Sequence, residues 1–82
     1  MSGKWDPGWH SQKIKDYYSE LLVLSSSGAP VDQQVKLIKK IDRHISEILR
    51  RRGNHNTKPY VAQAENTKQR LRRLKKNLGL SE

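Results

Sequence analysis

Two breaks rich in glycine and proline divide this chain into three segments. The first break is Gly28-Ala29-Pro30, and the second runs from Gly53 to Pro59. Between the breaks, apolar residues recur every three or four positions, which is the spacing of one helix face. The pattern predicts an all-α protein, either a three-helix bundle or a helical hairpin with a third helix packed against it.

The predicted helices span residues 10–27, 30–52 and 58–77. The apolar face of the first helix consists of Ile14, Tyr17, Tyr18, Leu21 and Leu24. The stripe of the second helix consists of Val31, Val35, Leu37, Ile38, Ile41, Ile45, Ile48 and Leu49. This stripe is too wide for one neighbour, so the second helix should pack against both others, with Ile41 and Ile45 at the centre of the core.

The first nine residues are predicted to form a short N-terminal tail, followed by a single basic helical domain over 10–82. Gly3, Pro7 and Gly8 disfavour regular structure there. The same tail carries Trp5 and Trp9. Either these rings fold back onto the helical core, or they form an aromatic platform for a base or a partner.

The third helix carries a seam with alternating steps of four and three residues, as in a heptad repeat. The seam consists of Tyr60, Ala64, Thr67, Leu71, Leu74 and Leu78. Only 33% of the chain is hydrophobic, so the core of one copy is small. The seam and the small core together suggest a homodimer as a possible partner state.

The positive charge is concentrated in the second half of the chain. Ten of the 17 lysines and arginines lie between residues 50 and 76, where Glu65 is the sole acid, and the net charge of the whole chain is +9. Phosphate groups neutralise such a surface, so nucleic acid is the predicted partner. The candidate nucleic-acid-binding residues are Lys40, Arg43, Arg50, Arg51, Arg52, His55, Lys58, Arg70, Arg72, Arg73 and Lys76.

Other chemistry is not expected. His10, His44 and His55 do not follow metal-ligand spacing, and the chain has no cysteine. No nucleophile elbow or phosphate loop occurs, so we predict no enzyme activity, cofactor, metal or small-molecule substrate. The longest apolar run, 21–24, cannot span a bilayer, and no apolar signal region is seen. We expect a cytoplasmic protein without membrane contact, or a nuclear one in a eukaryotic or viral setting.

Three kinds of partner remain open. RNA is favoured, because basic residues outnumber exposed aromatic residues and therefore suit a protein that reads helix shape and phosphates. A DNA-binding regulator is the second alternative, although a helix-turn-helix normally uses shorter helices and a tighter turn. A helical interaction module that docks on an acidic protein is the third.

The order of features also resembles the small-subunit ribosomal protein fifteen family over residues 28–76. Gly28-Ala29-Pro30 is similar to the start of the family's central helix. Leu37-Ile38-Lys39-Lys40 is similar to a run in its archaeal and eukaryotic branch. The basic turn from Arg50 through Asn54-His55-Asn56 to Lys58 stands where the family has a basic turn rich in polar residues. Glu65, Arg70, Leu71 and Arg73 have family-like spacing.

The resemblance implies a three- or four-helix RNA-binding fold. It implies that Arg50 to Arg52, His55 and Lys58 contact an RNA junction or minor groove. Asparagines replace the family's aspartate and serine in the turn, and an aromatic pair expected near Leu74 is missing. A viral RNA-binding module of similar helical architecture would show the same features.

Overall fold

The computed structural model describes residues 5–80, which form three helices of 20 residues each. They are α1 (Pro7–Ser26), α2 (Val31–Arg50) and α3 (Lys58–Asn77). No strand occurs in this part of the chain. The predicted all-α class and the number of helices are therefore confirmed.

Helix α1 begins earlier than the sequence predicts. Asp6 is extended, and its carboxylate accepts a hydrogen bond from the Gly8 N–H at 2.9 Å. Pro7 occupies the first helical turn, where the missing N–H of proline has no hydrogen bond to lose. The predicted tail boundary at residue 9 is wrong, because Asp6 and Pro7 start the helix. Residues 1–4 of that tail lie outside the described residues.

Gly28 ends α1 as predicted. Its φ of +73° places it in the left-handed region, which side chains with a Cβ rarely adopt. The N–H of Ala29 donates to the Leu24 carbonyl at 2.9 Å, and the N–H of Gly28 donates to the Ser25 carbonyl at 3.3 Å. These two bonds form a Schellman motif, which satisfies the last carbonyls of the helix.

The connection between α2 and α3 is a series of turns over residues 51–57. The Arg52 N–H donates to the Leu49 carbonyl at 3.2 Å, and the Asn54 N–H donates to the Arg51 carbonyl at 2.9 Å. Because these bonds span three residues, α2 ends at Arg50 rather than at the predicted residue 52. Thr57 precedes α3, but its side chain makes no capping hydrogen bond.

Helix α2 lies at the centre of the bundle. It packs against α1 and α3, whereas α1 and α3 touch each other less extensively. Ile41 and Ile45 are 0% and 2% exposed, which confirms their predicted place at the centre of the core. The buried hydrophobic residues are Ile14, Leu21, Leu37, Ile38, Ile41, Ile45, Ile48, Ala64 and Leu71.

The apolar seam of α3 faces this intramolecular core. Ala64, Thr67 and Leu71 are buried, and Tyr60, Leu74 and Leu78 pack partly buried against the core. A polar contact adds to the α1–α3 packing, since the Ser11 hydroxyl hydrogen-bonds Gln63 across the two helices. The seam that suggested a homodimer is therefore occupied within one chain, and self-association stays a prediction without a surface assigned to it.

The solvent side of the bundle is polar in most places. Among residues 5–80, none of the helices combines the length and apolar character needed to cross a membrane. The exposed large hydrophobic residues in this range are Trp9, Leu22, Val23 and Val31.

Candidate nucleic-acid interface

Helix α3 carries its positive charge on the side opposite the core. Lys68, Arg72 and Lys76 are spaced four residues apart, so they follow one strip along the helix. Arg70 and Arg73 follow a second strip, and all five side chains are exposed. We call this set the α3 basic face: Lys68, Arg70, Arg72, Arg73 and Lys76.

Two shallow clefts run along the α3 basic face. The first lies between α2 and α3 and is lined by Leu49, Arg52, Glu65, Lys68, Gln69 and Arg72. The second is lined by Asn66, Gln69, Arg70 and Arg73. Gln69 lines both clefts, so the two basic strips are adjacent. Side-chain amides and guanidinium groups in this arrangement can donate hydrogen bonds to phosphate oxygens.

Most of the α3 basic face lacks acidic partners. Within residues 5–80, no ion pair involves Lys68, Arg70, Arg73 or Lys76. The neighbouring Lys75 differs, because its Nζ lies 2.9 Å from the Asp42 carboxylate on α2. Lys75 therefore fastens α3 to α2, while Lys68, Arg70, Arg73 and Lys76 keep their charge for solvent or an anion.

The three arginines of the predicted basic turn form ion pairs with acids of the same chain. Glu47 binds Arg50 at 2.8 Å and Arg51 at 2.5 Å, and Arg52 lies 3.5 Å from Glu65. These hydrogen bonds, with that of Arg51 the strongest, lower the pKa of the Glu47 carboxyl. All three predicted nucleic-acid-binding arginines of the turn are therefore paired with acids.

Arg51 has a structural position. Its guanidinium lies 4.4 Å from the ring centroid of Trp5, and its side chain is 33% exposed. Trp5 and Glu47 cover part of the Arg51 side chain, so Arg51 is less exposed than a surface arginine, and its contact with nucleic acid stays a prediction. Arg50 and Arg52 are 67% and 58% exposed, so each can still reach a ligand.

The remaining predicted residues do not join the α3 basic face. His55 lies beside Asn56 in a separate shallow cleft near Trp5 and Tyr60. Lys58 is exposed at the first turn of α3. The Lys40 ammonium lies 5.4 Å from the Tyr17 ring of α1, and Arg43 is exposed one turn further along α2. The eleven predicted residues are thus spread over more than one side of the bundle.

A cluster of aromatic rings and histidines lies at the α1–α2 contact, and the sequence pattern did not predict it. The Nδ1 atoms of His10 and His44 are 2.8 Å apart. The Trp5 ring stacks on His10, the Tyr17 ring stacks on His44, and the Trp9 ring meets both imidazoles edge to face. One imidazole nitrogen must donate and the other accept, so at most one of the two facing Nδ1 atoms carries a proton.

Burial favours the neutral form of both histidines. It lowers the pKa of His10 below the ordinary 6.5, and Arg51 adds to this effect while Glu47 opposes it. Burial also lowers the pKa of His44, and His10 and Lys13 strengthen the shift. Within residues 5–80, no group of three or more His, Asp or Glu side chains could hold a metal ion.

Comparison with protein-family models, curated proteins and solved structures finds no match for this chain. The resemblance to the ribosomal family over residues 28–76 accordingly stays a prediction. The roles that this resemblance implies for Arg50 to Arg52, His55 and Lys58 stay predictions as well.

Proposed function

We propose that the protein is a non-catalytic nucleic-acid-binding protein that binds structured RNA through the α3 basic face. The observation that carries this proposal is a set of four exposed cations on one helix, Lys68, Arg70, Arg73 and Lys76, for which residues 5–80 contain no ion pair. A merely solvated helix face would be expected to carry acids at four-residue spacing. Glu65 is the only acid of α3, and Arg52 already contacts it.

Phosphate is the anion that fits this face best. Arginine provides three of its five cations, and the planar guanidinium can bind two phosphate oxygens at once. The face contains no aromatic ring, so it suits the backbone of a folded or double-stranded nucleic acid better than unpaired bases.

RNA is favoured over DNA by the geometry of α2 and α3. Each helix has 20 residues, and residues 51–57 separate them. DNA-binding helix-turn-helix motifs join their helices by a turn of about three or four residues. An RNA-binding role agrees with the cytoplasmic or nuclear location that the composition predicts.

The test compares one RNA hairpin with a DNA hairpin of the same sequence and with an acidic polypeptide, all at one salt concentration. Fluorescence anisotropy should give the tightest binding for the RNA hairpin. Stronger binding of the DNA hairpin would instead support a DNA-binding regulator. Binding of the acidic polypeptide alone would support an interaction module for acidic proteins.

Two variants locate the surface. The α3 variant combines Lys68→Ala, Arg70→Ala and Arg73→Ala, and it should lose most RNA binding. The control variant combines Lys15→Ala, Lys36→Ala and Lys39→Ala, which removes the same charge from exposed positions on α1 and α2. Equal affinities for RNA in the two variants would contradict a binding site on α3.

A further inference from the structure

Trp9 presents an unusual surface near the start of α1. Its side chain is 52% exposed, although aromatic rings of this size normally contribute most to folding stability when they are buried. The ring is held in place by edge-to-face contacts with His10 and His44, at centroid distances of 5.0 and 5.4 Å. A fixed, exposed aromatic ring costs little conformational entropy when a ligand binds to it.

One cation lies over this ring, and a second lies over the neighbouring Tyr17 ring. The Lys13 ammonium lies 5.5 Å from the Trp9 centroid and 5.8 Å from the Tyr17 centroid. Lys40 reaches the same Tyr17 ring from α2, at 5.4 Å. Neither lysine forms an ion pair within residues 5–80. We call the group of Trp9, Lys13, Tyr17 and Lys40 the Trp9 surface.

We propose that the Trp9 surface binds an unpaired base of a single-stranded nucleic acid, which stacks on the Trp9 ring while Lys13 and Lys40 contact the adjacent phosphates. This inference rests on the proposed function and adds a second, chemically different contact to it. Proteins that bind single strands combine aromatic rings for the bases with cations for the backbone.

The α3 basic face and the Trp9 surface would bind different parts of one nucleic acid. The α3 basic face offers cations without an aromatic ring, which suits a duplex backbone, whereas the Trp9 surface pairs an exposed ring with cations. Lys13 now lies over the Trp9 ring, and its flexible chain can move aside to a phosphate when a base takes its place. An RNA hairpin with an unpaired extension would therefore use both surfaces.

The experiment titrates the full chain with a short single-stranded oligouridylate and, separately, with a fully paired RNA duplex. Oligouridylate should quench tryptophan emission, because a stacked base lies against Trp9. Trp9→Ala should weaken oligouridylate binding roughly 5- to 150-fold, which is the range for one base–aromatic stack. The same change should leave duplex binding close to that of the parent.

Leu22→Ala is the matched control, because Leu22 is also an exposed apolar residue of α1 but offers no ring. It should leave oligouridylate binding unchanged. Circular dichroism checks that each variant is folded. Lys13→Ala combined with Lys40→Ala provides a second variant that keeps Trp9 in place, and it should also weaken oligouridylate binding.

The two proposals fail in different ways. Unchanged oligouridylate affinity in Trp9→Ala and in the double lysine variant would overturn the Trp9 proposal, even with duplex binding intact. The Trp9 proposal would also be overturned if the parent protein binds the duplex but does not bind oligouridylate. The proposed function fails separately, when the α3 variant binds the duplex as tightly as the control variant does.

Discussion

The salt dependence of RNA binding gives the sharpest test of the α3 basic face. Each phosphate that a cation neutralises releases counterions, and the logarithm of affinity then falls by about 0.9 per contact for each tenfold rise in salt. The α3 variant removes three exposed cations for which the described residues contain no ion pair. Its slope should therefore be shallower than that of the parent by about 2.7.

This difference is large enough to measure easily. Between about 50 and 200 mM salt, the parent should lose roughly 40-fold more affinity than the α3 variant loses. The assay is fluorescence anisotropy of a labelled RNA hairpin at four or more salt concentrations. The control variant should keep the slope of the parent, because Lys15, Lys36 and Lys39 lie on other helices.

One outcome would refute the reasoning. If the α3 variant and the control variant weaken binding to the same extent and keep the same slope, net charge alone attracts the RNA. The ordered row of cations on α3 would then have no part in the contact. Arg51 is left out of the α3 variant because its change would also disturb the contacts with Trp5 and Glu47.

Three further predictions concern the fold. Ile41→Ala should lower the free energy of unfolding by about 2–5 kcal/mol in urea denaturation, since Ile41 is 0% exposed. Val23→Ala, at a side chain that is 66% exposed, should change this free energy by less than about 0.5 kcal/mol. A loss below about 1 kcal/mol for Ile41→Ala would contradict the packing. Because the folded state lowers the pKa of His10 and His44, the unfolded chain binds more protons below pH 6.5; stability should therefore fall as pH drops through and below that value. Combining His10→Gln with His44→Gln should reduce this loss, and an unchanged pH profile of urea unfolding would count against the histidine contact. Gly28→Ala should destabilise the protein in thermal unfolding because φ is +73°, while Gly53→Ala, at a position without positive φ, should have the smaller effect.

The fold was largely predictable because its main signals are local. The isoleucines of α2 recur with helical spacing on one wide face, and that width alone requires two packing neighbours. The sequence pattern misplaces the start of α1 because Pro7 and Gly8 normally disfavour regular structure. Asp6 before Pro7 is also a local signal, an N-cap followed by proline in the first turn, and it would have placed the helix start correctly.

The candidate site was less predictable because several of its contacts join distant parts of the chain. Glu47 stands four residues before Arg51, so that ion pair was visible at helical spacing. The contact between Trp5 and Arg51 is not visible in the sequence. The contact between His10 and His44 is not visible either, because these residues are 34 positions apart. Such contacts depend on the rotation of α1 about its axis relative to α2. The apolar pattern defines this rotation only roughly, because the apolar stripe covers a wide part of each helix.

Eight of the ten clustered bases, which look alike in the sequence, belong to two physical groups. Arg50, Arg51 and Lys75 bind acids of α2. The bonds of Arg51 and Lys75 connect the turn and α3 to the central helix, whereas that of Arg50 lies within α2. One acid cancels about one positive charge at a distance, so Asp42 offsets Lys75, whereas Glu47 offsets only one of the two charges of Arg50 and Arg51. The unbalanced positive charge therefore lies mainly within residues 50–76, and the α3 basic face is the largest group in it. Under the two proposals, an RNA that combines a duplex with an unpaired strand would contact both surfaces, the duplex at the α3 basic face and the unpaired base at Trp9 and Lys13.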